Sequence, residues 1–168
     1  VDIVFDMPNT QNPILREEDV LRRLKLVPES EKGRYYLYIG ATSDEEQLSE
    51  ALEVYKKYEE VIGVKLYAGV STGNLAVVDV ESQKTVYEFL ARNNFKGVLA
   101  VHCEKEDHMK DLFNFEDPYT HVLSRPKIAE IESVKDQVRF AKESGFEGTL
   151  HVCHVSCRES VELINEEK

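Results

Sequence analysis

Five short apolar segments alternate with amphipathic segments along the chain, and this alternation is the feature that most restricts the fold. The apolar segments have the length and composition of β-strands, and the intervening segments carry apolar residues at helical spacing. Strands separated by helices pair in parallel. The pattern predicts one α/β domain over residues 1–168, either an open parallel sheet or part of a (β/α)8 barrel. The predicted strands are 2–7, 35–41, 63–69, 97–103 and 148–155.

Several of the helical segments have recognisable ends. Capping-box patterns at 43–46 and 156–159 predict two helix starts, and Gly63 is expected to end the second helix. The acidic stretch 104–126 is too long for a simple connector and is expected to be a functional or mobile loop. The predicted helices are 16–27, 43–62, 80–93, 126–144 and a short segment from 156.

Polar residues stand at the carboxyl ends of four of the predicted strands. The first strand ends in Asp6 and is followed by Asn9, Lys65 lies in the third, and His102 and His154 end the fourth and fifth. Parallel α/β folds place their chemistry at this edge. Imidazole suits Zn, Fe, Ni and Mn, and a site without thiolate ligands is typically catalytic. We therefore predict a metal site at this rim.

Side-chain alternation separates the two histidines of the fifth strand. His151 and His154 are three residues apart, so on a regular strand they point to opposite faces. His154 is nearer the rim and is the predicted ligand, whereas His151 is expected to face the helices or to act behind the ligands. By the same rule, Cys103 and Cys153 are expected to point away from the site as small buried apolar residues.

Lys65 lies in the middle of an apolar strand, where an ammonium group is unfavourable unless it is paired or chemically altered. One interpretation is a lysine at a strand end whose amine reaches water. The other is a lysine that has lost its proton and reacted with carbon dioxide, which gives a carbamate able to bridge two cations. A metal-bound hydroxide could then attack an amide carbonyl.

Composition excludes several classes of partner. The net charge is −11, from 32 acidic and 21 basic residues, and no basic cluster favours nucleic acid or an anionic membrane. No apolar run approaches the length of a membrane span. The N-terminus lacks the pattern of a signal peptide. The odd number of cysteines, three, suits a reducing cytoplasm better than a disulfide framework.

Short motifs in a fixed order resemble those of the cyclic amidohydrolases, and most closely the dihydroorotases. Together the matching segments extend over nearly the whole chain. They are Phe5-Asp-Met-Pro-Asn-Thr10, Gly63-Val-Lys-Leu-Tyr67, Val101-His-Cys-Glu104, Ser124-Arg-Pro with Ala129-Glu130, and Leu150-His-Val-Cys-His-Val-Ser156. Allantoinases and hydantoinases share the lysine and the two histidines, whereas Met-Pro-Asn-Thr is more typical of dihydroorotases.

The resemblance implies a (β/α)8 barrel with a pair of zinc ions at its mouth. Lys65 would be the carbamylated bridging ligand, His102 and His154 would bind the second metal, and Asn9 would hold the substrate carboxylate. The implied reaction is the reversible hydrolysis of dihydroorotate, a small cyclic amide, to N-carbamoyl-aspartate in pyrimidine biosynthesis.

The sequence also departs from the family pattern. The family's first strand ends in His-x-His followed by an arginine, and its eighth strand supplies an aspartate; neither occurs in this chain. The resemblance therefore implies a single partial barrel domain covering strands two to six, expected to be inactive alone and to self-associate through open sheet edges. The alternatives are an allantoinase or hydantoinase, a non-catalytic module that binds or assembles with other proteins, and, least favoured, an open α/β protein with a Schiff-base lysine.

Overall fold

The predicted parallel α/β architecture is confirmed. The computed structural model describes residues 1–71 and 73–167. Within them, five strands form one sheet in the order β1-β2-β3-β4-β5, and every neighbouring pair is parallel. The strands are β1 (Val4–Asp6), β2 (Tyr35–Gly40), β3 (Val61–Ala68), β4 (Val98–Cys103) and β5 (Thr149–Val152).

Helices connect consecutive strands. Asp44 and Asp79 cap the second and third helices, because their carboxylates accept hydrogen bonds from amides of the first turn. Gly145, with φ 69°, ends the fifth helix in the left-handed conformation. The helices are α1 (Glu17–Leu24), α2 (Glu45–Lys57), α3 (Val80–Arg92), α4 (Tyr119–Ser124), α5 (Lys127–Ser144) and α6 (Arg158–Glu166).

Three local predictions were wrong. The second helix does not continue to Gly63, because α2 ends at Lys57 and Ile62 belongs to β3. The cap of α2 is Asp44, one residue after the predicted serine. At the last helix, Cys157 occupies the cap position without a side-chain hydrogen bond, and Ser156 instead donates to Glu130 on α5.

The acidic stretch between β4 and α5 is partly ordered into secondary structure. It contains a 3₁₀ turn, Glu106–His108, and the short helix α4. Its backbone is tied to neighbouring elements, since the amide of Lys105 donates to the carbonyl of Ala129. The stretch therefore folds over the carboxyl end of β4.

The two faces of the sheet are packed differently. One face meets the helices in the main apolar core, to which β2, β3 and β4 contribute Leu37, Leu66 and Leu99, all 0% exposed. The opposite face has only a small apolar cluster around Tyr38 and Ala100. Among the described residues, no helix has the length and apolar character needed to cross a bilayer.

Candidate metal centre

Strand register brings the predicted site residues onto the face of the sheet that the helices do not cover. Lys65 of β3 is aligned with Ala100 of β4, and Ala100 with His151 of β5. Two residues along β3, Tyr67 is aligned with His102. Residues in register on parallel strands point to the same face. Lys65 and His102 therefore lie on one surface, with His102 nearer the carboxyl rim.

Lys65 is fully enclosed rather than extended to water. Its side chain is 2% exposed, and Nζ donates a hydrogen bond to Sγ of Cys153 at 3.4 Å. Nζ also lies 4.6 Å from the centre of the Tyr67 ring. Burial lowers the pKa of Lys65, and the nearby Cys153 only partly opposes this effect. The environment therefore favours the uncharged amine, the form that reacts with carbon dioxide.

The two predicted histidine ligands meet at the rim. Nδ1 of His102 and Nε2 of His154 are 2.8 Å apart, and the rings are arranged edge to face with centroids 4.8 Å apart. His102 is buried, and its β4 position fixes its direction. Burial, and then the neighbouring His102, lower the pKa of His154. His154 is thereby held as a neutral imidazole, the form that binds a metal.

The prediction that Cys153 points away from the site is wrong, and so is the helix-facing alternative for His151. Pairing of β5 stops at Val152, and His154 adopts a left-handed conformation with φ 39°, so regular alternation does not continue to the rim. His151 is exposed on the same face as Lys65 instead of facing the helices. Cys153 contacts Lys65, whereas Cys103 packs in the main core as predicted.

Glu104 is a site residue that the sequence arguments did not single out. Its Oε2 lies 3.1 Å from Nε2 of His102, an electrostatic contact without good hydrogen-bond alignment, and it also pairs with Arg125. Burial alone would raise the pKa of Glu104, but His102 and Arg125 together lower it. Two features of the sequence could have indicated Glu104. One is its position directly after β4, and the other is the Ser-Arg-Pro motif, which contains its partner Arg125.

Asn9 and Asp6 have separate environments. The backbone of Asn9 lies near the Tyr67 hydroxyl, and a Cβ at Gly73 would lie 3.7 Å from the Asn9 Cα. Asn9 is therefore at the mouth formed by the loops after β1 and β3. Asp6 instead accepts hydrogen bonds from Nε of Arg23 at 2.6 Å and from the Tyr35 hydroxyl. Its carboxylate fastens α1 to the sheet and contributes no contact to the histidine pair.

Gly69 allows the ends of β3 and β4 to approach closely. A Cβ at this position would lie 2.2 Å from the carbonyl oxygen of Glu104, far inside van der Waals contact with backbone. No side chain fits there without moving one of the two strand ends. Gly69 therefore helps to set the distance between the strand that carries Lys65 and the strand that carries His102.

The residues fit one divalent metal ion if Lys65 supplies a ligand. Two nitrogen ligands of a tetrahedral zinc ion lie about 3.3 Å apart, so the histidine nitrogens need to separate by only about 0.5 Å. The described residues contain no group of three histidine, cysteine or carboxylate side chains that could hold a metal. Within this cluster Lys65 is the remaining candidate for a third ligand, and its ammonium form cannot coordinate.

Curated relatives support the resemblance seen in the motifs. No protein-family model matches the chain. A dihydroorotase of Aeropyrum pernix is 30% identical over 162 residues, 96% of this chain and 34% of that protein. A dihydroorotase of Thermococcus kodakarensis is 27% identical over 98% of this chain. An allantoinase of Enterococcus faecalis is 43% identical over 73 residues, 40% of the chain.

Solved structures share the fold at low sequence identity. A D-hydantoinase from Bacillus sp. AR9 superposes with a TM-score of 0.76 at 20% identity, covering 99% of this chain and 36% of that protein. A dihydropyrimidinase from Brevibacillus agri gives 0.73 at 19% identity. The chain spans about a third of the length of the curated relatives that it matches. It therefore resembles dihydroorotases in sequence and shares its fold with about a third of the D-hydantoinase chain.

Proposed function

We propose that this chain forms part of a metal-dependent hydrolase of cyclic amides, of the dihydroorotase type. Lys65 in its carbamylated form, His102 and His154 would hold a divalent ion such as zinc. The observation that carries the proposal is the pair of imidazole nitrogens 2.8 Å apart at the rim where a buried lysine also lies. A lysine whose amine reaches water would not need to be buried. Two histidines that only fill the core would not need to bring their ring nitrogens together.

Each residue has a distinct task in this proposal. The metal, when bound, would activate water and polarise the amide carbonyl. The enclosure of Lys65 lowers the pKa of its amine, which favours the uncharged form that takes up carbon dioxide. Glu104, held by Arg125, orients the His102 ring from the side away from His154. Asn9, at the mouth, would hold the carboxylate of the substrate through its amide.

The proposed reaction is dihydroorotate plus water to N-carbamoyl-aspartate, a step of pyrimidine biosynthesis. Matches to dihydroorotases over almost the whole chain support this substrate. Allantoin or a hydantoin is the second candidate, because an allantoinase matches residues at higher identity over a shorter stretch. The three free thiols support a cytoplasmic setting. A turnover assay of the longest natural chain containing these residues, with the three cyclic amides side by side, separates the substrates.

We also propose that residues 1–168 are a single partial barrel domain, corresponding to strands two to six, and that they are inactive alone. In this proposal Lys65, His102 and His154 bind one metal ion, and only Lys65 is available as a ligand for a second ion. A dihydroorotase-like module without catalysis is the alternative role. Hydrolysis by these 168 residues at the rate of a complete dihydroorotase, with zinc and bicarbonate supplied, would contradict this proposal.

Metal content and intact mass test the site directly. We expect about one zinc per chain after loading with zinc and bicarbonate, and native mass spectrometry should show the added mass of one carbon dioxide. His102→Ala and His154→Ala should each lose the metal. His121→Ala is the matched control, because His121 is exposed in α4, and its metal content should not change. Equal zinc in all four proteins would refute the assignment.

Self-association through the sheet edges is part of the same proposal. β1 is an edge strand, and Val4 and Phe5 on it are 41% and 55% exposed. Unpaired edge groups beside apolar side chains favour contact with another chain. We expect the sedimentation coefficient of the chain to increase with concentration, and Phe5→Lys to reduce that increase. A concentration-independent monomer would contradict it.

A further inference from the structure

Lys65 and Cys153 form a pair of nucleophiles on the open face of the sheet. Nζ and Sγ are 3.4 Å apart, and the two residues are 2% and 7% exposed. The pair joins positions that are 88 residues apart in sequence. The backbone of Cys153 is fixed by a hydrogen bond from its amide to the carbonyl of Val101 at 2.9 Å. The thiol is therefore held against the amine by the fold.

The other thiols of the chain do not share this position. Cys103 is packed in the main core, on the helix side of the sheet. Cys157 is buried at the start of α6, where its Sγ faces the carbonyl of Lys127. All three cysteines are free. An oxidised Cys153 therefore meets the amine of Lys65 before it meets another thiol.

We propose that Cys153 and Lys65 form a reversible covalent link when the protein meets hydrogen peroxide. In the first step the Cys153 thiol is oxidised by peroxide to a sulfenic acid, and one water leaves. In the second step the nitrogen of the Lys65 amine, 3.4 Å from the sulfur, attacks it, an S–N bond forms, the S–O bond breaks, and a second water leaves. The sum is thiol plus amine plus peroxide to a sulfenamide and two waters. Sulfur loses two electrons and peroxide gains them.

The link has a functional consequence that rests on the proposed metal site. A sulfenamide nitrogen no longer has the free amine that carbon dioxide requires, so the link would remove the third metal ligand. A thiol reductant attacks the sulfur, restores both side chains and returns the site to its reactive state. The pair would thus make metal loading sensitive to peroxide. The link itself requires neither metal nor catalysis.

Peptide mapping after peroxide treatment tests the link. The folded 168-residue chain is treated with peroxide, quenched and digested with trypsin without reductant. We expect a joined peptide pair whose mass is two hydrogens below the sum of its parts, together with loss of cleavage after Lys65. Dithiothreitol should separate the pair and restore cleavage. The same treatment in denaturant should give no joined peptide, because proximity is then lost.

Three variants make the result decisive. Cys153→Ser and Lys65→Met should each abolish the joined peptide, and Lys65→Met should leave Cys153 open to labelling by dimedone, which captures sulfenic acids. Cys103→Ser is the matched control and should still form the link. The proposal is overturned if folded wild-type protein shows dimedone-labelled or unmodified Cys153 without the joined peptide. Zinc binding is measured separately, so failure of the metal site leaves this result interpretable.

Discussion

The two faces of the sheet carry adjacent residues of the same strands and serve different purposes. Leu66, on the helix side of β3, is 0% exposed within the main apolar core. Lys65, one residue earlier, is on the other face, beside a thiol and a phenol ring. The helix side contributes apolar burial, whereas the open side places groups that are unfavourable to bury. A residue that stabilises the core and a residue of the candidate site are thus neighbours on the same strand and lie on opposite faces of the sheet.

The largest expected effect comes from the helix side. Leu66→Ala removes a fully buried side chain from the core and should lower the free energy of unfolding by about 3 kcal/mol. Chemical denaturation followed by circular dichroism measures the change. Val70→Ala, at a half-exposed position in the loop after β3, serves as control and should change stability by less than about 0.5 kcal/mol. A loss below about 1 kcal/mol for Leu66→Ala would contradict the contrast between the faces.

The neighbouring substitution on the open face should act in the opposite direction. Lys65→Met removes a buried ammonium while keeping the length of the side chain, and should raise the stability of the metal-free protein by about 1 kcal/mol. Burial lowers the folded-state pKa of Lys65, so protonation opposes folding below that pKa. The difference should therefore shrink as the pH rises toward the ordinary lysine pKa of 10.5.

Lys56→Met is the control for that experiment, because Lys56 is exposed on α2. Its stability should match the wild type at every pH below the ordinary lysine range. If Lys65→Met instead destabilised the metal-free protein, Lys65 would be a net stabilising group. The open face would then contribute to folding in the same way as the helix side.

The segment after β5 depends on a carboxylate from α5. Glu130 accepts hydrogen bonds from the amides of Ser156 and Cys157, each at 3.0 Å, and from the Ser156 hydroxyl at 2.6 Å. Burial alone would raise the pKa of Glu130, but the bonds from Ser156 outweigh it and the pKa is lowered. The stabilisation is therefore complete above the ordinary pKa of 4.5 and is lost as the pH falls through the folded-state value.

Glu130→Gln should accordingly lower the free energy of unfolding by about 1 kcal/mol at neutral pH, a figure reduced for partial exposure. The difference from wild type should shrink as the pH falls below the ordinary carboxyl pKa of 4.5 and disappear below the lower folded-state pKa. Glu143→Gln, at an exposed position near the end of the same helix, should show no difference at either pH. A pH-independent loss for Glu130→Gln would show that its charge is not what holds the segment.

Much of the fold could be predicted because it depends on local patterns. Each of the five apolar runs contains one of the five strands, because strands of a parallel sheet that pack against helices are rich in apolar residues. The boundary of α2 could not be predicted in the same way. Ile62 satisfies helical spacing from Leu48 and Leu52, but tertiary pairing of Ile62 within β3 overrides that periodicity.

The site was less predictable, because its geometry depends on where strand pairing stops. The motifs indicated Lys65, His102 and His154, and the structure brings the two histidines together. Parity failed at His154, because His151 and Cys153 keep the regular alternation of β5, whereas no sequence rule locates the left-handed conformation by which His154 reaches the same face. The Glu104–Arg125 pair spans a loop and an irregular segment, so spacing alone could not reveal it.

The smallest expected effect distinguishes two histidines that are three residues apart. His151 is exposed on the open face, aligned with Ala100 and behind the rim, whereas His154 meets His102. His151→Ala should change the free energy of unfolding by less than about 0.5 kcal/mol and leave zinc content unchanged. His154→Ala, measured in parallel, should lose zinc. If His151→Ala lost the metal and His154→Ala kept it, the ligand would lie deeper on the open face, and the left-handed turn at the rim would have no role in the site.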